Sequence, residues 1–211
     1  MTTLLAQSLE RSIRDRQLLS HPFYQRWEAG DISRDELRLY AEQYRYFERM
    51  LPEFLKELSD ELPDGLARDS VLNNLADEVA TPTHLELFEQ FAHFYGASDA
   101  PMSPAMQRLV ESYGDILTDD VTVALAGLWA YESQGAAIAD SKAEGLVKFY
   151  GAEGDATTFW SVHGSLEGDH AAWTLEALEE LDPIVDDVAS AARRIADAWW
   201  AFLDERESVS L

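Results

Sequence analysis

The chain has 211 residues, which is long enough for one domain over residues 1–211, and a net charge of −24. It has no Cys, so it cannot form disulfides, zinc–thiolate sites or iron–sulfur clusters. Its negative charge opposes binding to nucleic acid and to anionic membranes, and no apolar run reaches the ~18 residues that span a bilayer. Because 13 Arg accompany only three Lys and the carboxylates are spread along the whole chain, we expect a cytoplasmic protein from a cytosol of high salt, where screening removes the self-repulsion.

The apolar residues recur with helical periodicity, and no window shows sustained period-two alternation. Ser33 and Glu36 form a capping box before a long helix, in which Pro52 is expected to cause a kink or a break. Gly96 is expected to be a helix C-cap and Asp182 the N-cap of the last helix. We therefore predict an all-α domain of about seven to nine helices, covering 3–16, 22–30, 33–60, 65–79, 83–96, 103–113, 119–143 with a shorter piece to 151, 156–181 and 183–206.

Three potential metal ligands stand in the run FWSVHGSLEGDHAAW of the eighth predicted helix. Relative to His163, Glu167 lies about 40° to one side of the helix and His170 about 20° to the other, so all three share one face. Gly164 and Gly168 lie between them, and small residues there would permit close approach of another helix. The alternative is an ordinary pair of core or surface His residues on a chain rich in Glu.

The segment NNLADEVATPTHLELF offers a second group of ligands. Glu78 and His84 would lie about 120° apart on an uninterrupted helix, whereas Asp77 would lie about 20° from His84. Helical spacing alone therefore favours Asp77. Pro82 interrupts the helix, however, and leaves Asp77 and Glu78 as alternatives.

Glu132 is a charged residue within an apolar helix, since residues 121–131 carry no charge. Burying such a carboxylate costs several kcal/mol unless it is paired, protonated or bound to a metal. His and carboxylate ligands on separate helices resemble the di-metal sites of helical bundles, and this donor set suits iron. His21 and His93 are left out of this ligand set, and His93 is expected to be structural.

These motifs resemble the haem-oxygenase-like di-iron oxidases, and in particular the CADD-type proteins that make p-aminobenzoate for folate synthesis. The resemblance covers most of the chain, through LLSHPFYQRWEAGDISRDELRLYAEQY, NLADEVATPTHLELF, LWAYESQ and the His163 helix. It implies a TenA/PqqC-like helical bundle, a homodimer, and a site for two iron ions, or one iron and one manganese, that reacts with dioxygen. The ligands implied by the resemblance are Glu78, His84, Glu132, His163, Glu167 and His170.

Two features depart from the CADD-type pattern. The gap from Glu78 to His84 is one residue shorter, and Glu167 stands where that type has Asp. Both changes are chemically tolerable, but they can alter metal preference or the way a carboxylate binds.

The resemblance also implies a self-sacrificing reaction, in which the ring of an internal Tyr becomes the aminobenzoate. The consumed residue matches Tyr24, a second Tyr of the site matches Tyr40, and the amino-group donor matches Lys142, one of three Lys in the chain. The structural alternatives are a surface Lys and two aromatic residues with hydrogen-bonded hydroxyls.

Three other functions compete with this one. A di-iron oxygenase of the same fold could act on an external small molecule with a separate reductant. Metal-free relatives include thiamin-salvage hydrolases, which rely on a Cys that this chain lacks, and a quinone-forming oxidase, which does not need the carboxylate–histidine set. A non-enzymatic acidic interaction protein would leave Glu132 unexplained.

Overall fold

The computed structural model describes residues 3–209, apart from the side chains of residues 165–167, and all regular structure in this part is helical. The all-α prediction is thus confirmed. None of the described helices is long and apolar enough to cross a membrane. The helices are α1 Leu4–Ser12, α2 Pro22–Ala29, α3 Arg34–Glu61, α4 Leu66–Val79, α5 His84–Tyr95, α6 Pro104–Leu117, α7 Val121–Phe149, α8 Asp155–Glu180 and α9 Val185–Ser208.

The helix starts follow local chemistry. The Ser33 hydroxyl accepts from the backbone N–H of Glu36, and the Glu36 carboxylate accepts from the backbone N–H of Ser33, which confirms the predicted capping box of α3. Thr83 and Glu86 form the same reciprocal pair at the start of α5. Gly96 ends α5 at φ +78°, a left-handed conformation that Gly adopts without strain.

The predicted break at Pro52 does not occur, because buried residues on both sides of it, including Leu51 and Leu55, hold α3 against its neighbours. The alternative, a kink at Pro52, stays a prediction. Two further predictions of helix boundaries were wrong. The two pieces expected between 119 and 151 form the single helix α7. Asp182 is not an N-cap, since its φ of 46° is left-handed and an N-cap requires extended backbone; α9 begins three residues later.

The central helix α7 packs along α8 and α9, while α8 also packs against α4 and α5, and α3 against α4, α5 and α6. Gly127 permits one close approach, because a Cβ there would lie 2.2 Å from Ile116 Cδ1 on α6. Gly164 permits another, since its Cβ would lie 2.3 Å from Asp140 Oδ1 on α7. Gly168 has no such role, as its Cβ would meet no described atom within 4 Å. The predicted small-residue contact therefore exists at one position of the two.

Candidate metal centre

Glu78, His84 and His163 form a buried cluster where α4, α5 and α8 meet. One potential ligand atom from each of the three lies within 4.8 Å of the other two. A turn over residues 80–83, with a cis Thr81–Pro82 peptide, joins the end of α4 to the start of α5. This turn replaces the continuous helix on which the spacing argument for Asp77 depended, and it brings Glu78 beside His84.

The ligand atoms of Glu78 and His84 fit a shared cation. Glu78 Oε2 lies 2.9 Å from His84 Nδ1, yet neither atom makes a hydrogen bond to any described group. Buried polar atoms are normally hydrogen-bonded, so two such atoms this close but misaligned require another partner. A carboxylate oxygen and an imidazole nitrogen are ligands that iron and manganese accept. The residues present therefore fit a metal ion.

His163 is held in the orientation and protonation state of a ligand. Its Nδ1 lies 3.1 Å from the backbone carbonyl oxygen of Phe159. A carbonyl can only accept, so Nδ1 carries the proton and the lone pair is on Nε2. Burial, and next the nearby His84 ring, lower the pKa of His163 well below its usual range. The neutral ring is the form that binds metals.

Glu132 is buried, so the alternative of a solvent-facing carboxylate does not apply to it. Asn74 donates to its Oε1 and the Thr174 hydroxyl donates to its Oε2 at 2.7 Å. Burial raises the pKa of Glu132 to about 7 and Glu78 adds to the increase, although His170 and the two hydrogen bonds lower it. Glu132 therefore lies within electrostatic reach of both the three-residue cluster and His170.

His170 is also buried, and its Nε2 lies 3.1 Å from Asp77 Oδ2. Asp77 therefore contacts His170, which is a predicted ligand. Glu78, which the sequence left as the alternative to Asp77, lies in the cluster. Such carboxylate–imidazole contacts orient metal-binding His residues. The side chain of Glu167 lies outside the described residues. His21, which the ligand set left out, caps α2 by accepting from the backbone N–H of Phe23.

Lys142 is not the surface residue of the alternative interpretation, since it is only 1% exposed. Its amino group donates to the Tyr40 hydroxyl at 2.6 Å, and it lies 4.0 Å from the ring centre of Trp160 and 4.7 Å from that of Tyr24. Burial lowers the pKa of Lys142 well below its usual range, although Glu48 opposes this effect. A neutral amine carries a lone pair and can act as a nucleophile.

Tyr24 and Tyr40 form a buried pair beside Lys142, with their hydroxyl oxygens 3.1 Å apart. Burial raises the pKa of both phenols above the ordinary value, so both keep their protons at neutral pH. Their burial agrees with a structural role as well as a catalytic one. The contact with the buried Lys142 amine is what favours the catalytic interpretation.

Sequence reasoning missed Glu48, a buried carboxylate on α3. Neither of its carboxyl oxygens has a hydrogen-bond partner among the described residues, and the nearby Tyr44 hydroxyl pairs with that of Tyr131. Burial, and next Glu78, raise the pKa of Glu48 well above its usual range, while Lys142 and Tyr44 act in the opposite direction. Glu48 therefore lies within electrostatic reach of both Glu78 and Lys142.

A sequence signal for Glu48 did exist. Tyr40, Tyr44 and Glu48 follow one another at four-residue steps, and Leu51 continues the same face of α3. A charged residue on an otherwise apolar helix face is the same pattern that singled out Glu132.

The all-α fold and the buried carboxylate–imidazole cluster define a helical-bundle protein with a candidate iron site. Residues 38–202 match the family described as iron-containing redox enzymes, of haem-oxygenase type. The chain belongs to this family. Two similar proteins are both called 4-aminobenzoate synthase. One, from Nitrosomonas europaea, is 36% identical over 96% of this chain and 91% of its own length. The other, from Chlamydia pneumoniae, is 30% identical over 92% and 91%.

Solved structures show the same fold at low sequence identity. A CADD-like protein of unknown function from Nostoc punctiforme superimposes with a TM-score of 0.76 at 16% identity, over 97% of this chain and 99% of the other. A TenA homologue from Pseudomonas syringae gives a TM-score of 0.81 at 15% identity, over 98% and 93%. These similarities confirm the predicted haem-oxygenase-like fold.

Proposed function

We propose that the protein is an oxygen-dependent di-metal oxidase that makes p-aminobenzoate, for folate synthesis, from its own Tyr24. The observation that carries the proposal is the burial of Lys142 against the Tyr24–Tyr40 pair, beside the metal cluster. The names of the two relatives support the product. The family supports a redox-active iron site.

The proposed metal ligands are those implied by the resemblance, and the buried cluster supports three of them directly. Two iron ions, or one iron and one manganese, would supply the reductive activation of dioxygen when bound. The protein contributes the surroundings of the reaction. Trp27, Tyr44 and Trp160 lie around the Lys142 amino group and keep water away from it.

The product defines what must happen at Tyr24. In p-aminobenzoate the amino group is para to the carboxylate, and in tyrosine the hydroxyl is para to Cβ. The conversion therefore replaces the phenol oxygen by nitrogen, oxidises Cβ to a carboxylate and breaks the Cα–Cβ bond. Lys142 supplies the nitrogen in this proposal, because its amino group is held over the Tyr24 ring. A bond forms between Nζ and the ring carbon that carried the hydroxyl, the phenol oxygen leaves as water, and the Lys142 Cε–Nζ bond breaks with oxidation of Cε to an aldehyde. Dioxygen is the oxidant for both Cε and the Tyr24 Cβ. Tyr40 orients both groups through its hydroxyl, which contacts each of them.

Reconstitution without substrate tests the proposal. Metal-free protein is supplied with Fe(II), Mn(II), ascorbate and air, and we expect p-aminobenzoate at no more than one molecule per chain. Peptide mass spectrometry should show residue 24 without its ring. Protein grown on ¹⁵N-labelled lysine should yield ¹⁵N-labelled product.

Matched variants provide the controls. Tyr24→Phe and Lys142→Met should yield no product, whereas Tyr46→Phe, which loses one hydrogen bond to a backbone carbonyl, and Lys148→Met, on the exposed side of α7, should yield as much as wild type. Oxygen consumption with bound metal and an intact Tyr24 would contradict the self-sacrificing reaction and favour an external substrate. Protein that binds no metal would contradict the oxidase as well.

A further inference from the structure

Glu48 combines nearly complete burial with weak hydrogen bonding. It is 1% exposed, and neither carboxyl oxygen makes a well-formed hydrogen bond to a described residue. The Tyr44 hydroxyl, which acts on the Glu48 carboxyl, is paired with the Tyr131 hydroxyl. A buried carboxylate in this situation lowers stability unless something compensates it. The proposed function assigns Glu48 no role.

The other buried carboxylates for which partners are described are satisfied by the protein itself. Glu42, on the same helix and 3% exposed, accepts from the N–H and the hydroxyl of Ser98 and from Arg38, all within 3.0 Å. Glu132 accepts from two side chains. Only Glu48 and Glu78 have buried carboxyl oxygens without a partner in the described part of the chain, and Glu78 belongs to the metal cluster.

The charges around Glu48 point to a cation. The Glu78 carboxylate is within electrostatic reach of both Glu48 and Glu132, so three buried carboxylates share one region. Lys142 is the buried amine that acts on Glu48, and it can offset at most one negative charge. Buried carboxylates in such numbers are retained where they coordinate metals.

We propose that Glu48 is a further carboxylate ligand of the metal centre, at the end that faces Lys142. The inference rests on the metal-binding part of the proposed function and not on the identity of the product. Glu48 lies outside the cluster of Glu78, His84 and His163, so we assign it to the second metal ion. It would link that ion to the side of the site that holds the amine.

Anaerobic metal titration tests this assignment, because without dioxygen the chain cannot react. Wild-type protein, Glu48→Gln and Glu42→Gln are dialysed against Mn(II) or Fe(II), and the bound metal is measured. We expect two ions per chain for wild type and Glu42→Gln. For Glu48→Gln we expect loss of the second ion, or affinity for it reduced at least about tenfold.

Thermal unfolding of the metal-free proteins gives a second readout. Glu48→Gln, or Glu48→Leu if the amide does not fold, should melt at or above wild type, because it removes a buried carboxyl whose ionisation the folded state disfavours. Glu42→Gln should melt below wild type, because its hydrogen bonds are weakened. If Glu48 had a purely structural role, its substitution would instead lower the melting temperature and leave metal binding unchanged.

The possible failures can be told apart. Equal metal content and affinity in wild type and Glu48→Gln would overturn this inference alone. Wild-type protein that binds neither metal would overturn both this inference and the proposed function.

Discussion

Glu132 shows how burial changes the protonation of a single carboxyl group. Its carboxyl is buried in an apolar helix, and burial raises its pKa to about 7 from an ordinary value of 4.5. In the metal-free protein the folded chain therefore holds this proton over a pH range in which the unfolded chain has released it. A bound cation would favour the ionised form.

This difference predicts a pH dependence of stability. Between pH 4.5 and about 7, metal-free wild type should lose stability relative to Glu132→Gln as the pH rises, by a total on the order of 3 kcal/mol, and the difference should then level off. Urea unfolding in a chelating buffer at several pH values measures it. A stability difference that does not change across this range would contradict the raised pKa.

Sequence reasoning selected segments whose side chains do come together, although the role of these residues as metal ligands stays a prediction. The segments around Glu78, His84 and His163 were identified as ligand candidates, and these three side chains do meet. The burial of Lys142 did have a signal in the sequence. Ile138, Ala139 and Leu146 lie on the same face of α7 as Lys142, whereas Asp140, Ser141 and Glu144 lie on the other faces. The charge of Lys142 masked this signal, because Lys is rarely buried.

The turn between α4 and α5 is the element that assembles the cluster. It places the last turn of one helix and the first residue of the next side by side, with Glu78 on one and His84 on the other. The Thr83 capping box fixes the first turn of α5 and therefore the backbone of His84. Helix capping at this point is expected to influence metal binding as well as stability.

A matched pair of capping variants separates the two effects. Thr83→Ala and Ser33→Ala each remove the N-cap hydroxyl of a capping box and should each cost about 1 kcal/mol of stability. Only Thr83→Ala should also weaken Mn(II) binding, because only its helix begins with a cluster residue. Denaturant unfolding and metal titration measure the two quantities. Equal metal affinity in the two variants would show that the cap does not position His84.

Element boundaries were predictable where one residue determines them. Gly96 and the Ser33–Glu36 box act through local hydrogen bonds, and both were predicted correctly. The break at Pro52 and the N-cap at Asp182 were not, because tertiary packing keeps α3 continuous and a left-handed backbone delays the start of α9. Glu78 and Asp77 could not be separated by spacing, since the intervening turn has no helical geometry.

At the scale of the whole molecule, negative charge exceeds positive charge by 24. Many of the Arg residues form surface ion pairs, as Arg193 does with Asp15 and Asp197, but most carboxylates have no cation to offset them. Self-repulsion in such a molecule opposes the folded state and is screened by salt. The scarcity of Lys and the spread of Asp and Glu underlie the expectation of a high-salt cytosol.

Stability should accordingly rise with salt. We expect the melting temperature to increase by about 5–10 °C between about 0.1 M and 2 M KCl, which corresponds to a few kcal/mol for a chain of this size. NaCl should act in the same way, because screening does not depend on the cation. Calorimetry in both salts measures the effect, and equal melting temperatures at both concentrations would rule out salt adaptation.

The burial of Tyr24, which is 1% exposed, also bears on how long each molecule survives. Its ring packs against Phe23 and lies under the Lys142 amine, so a chain that loses this ring retains a void in its core. Large aromatic-to-small replacements cost roughly 3–5 kcal/mol, a large part of the 5–15 kcal/mol that keeps a typical domain folded. A spent copy would then unfold far more often than a fresh one, and cellular proteases would remove used molecules first and return their amino acids to synthesis.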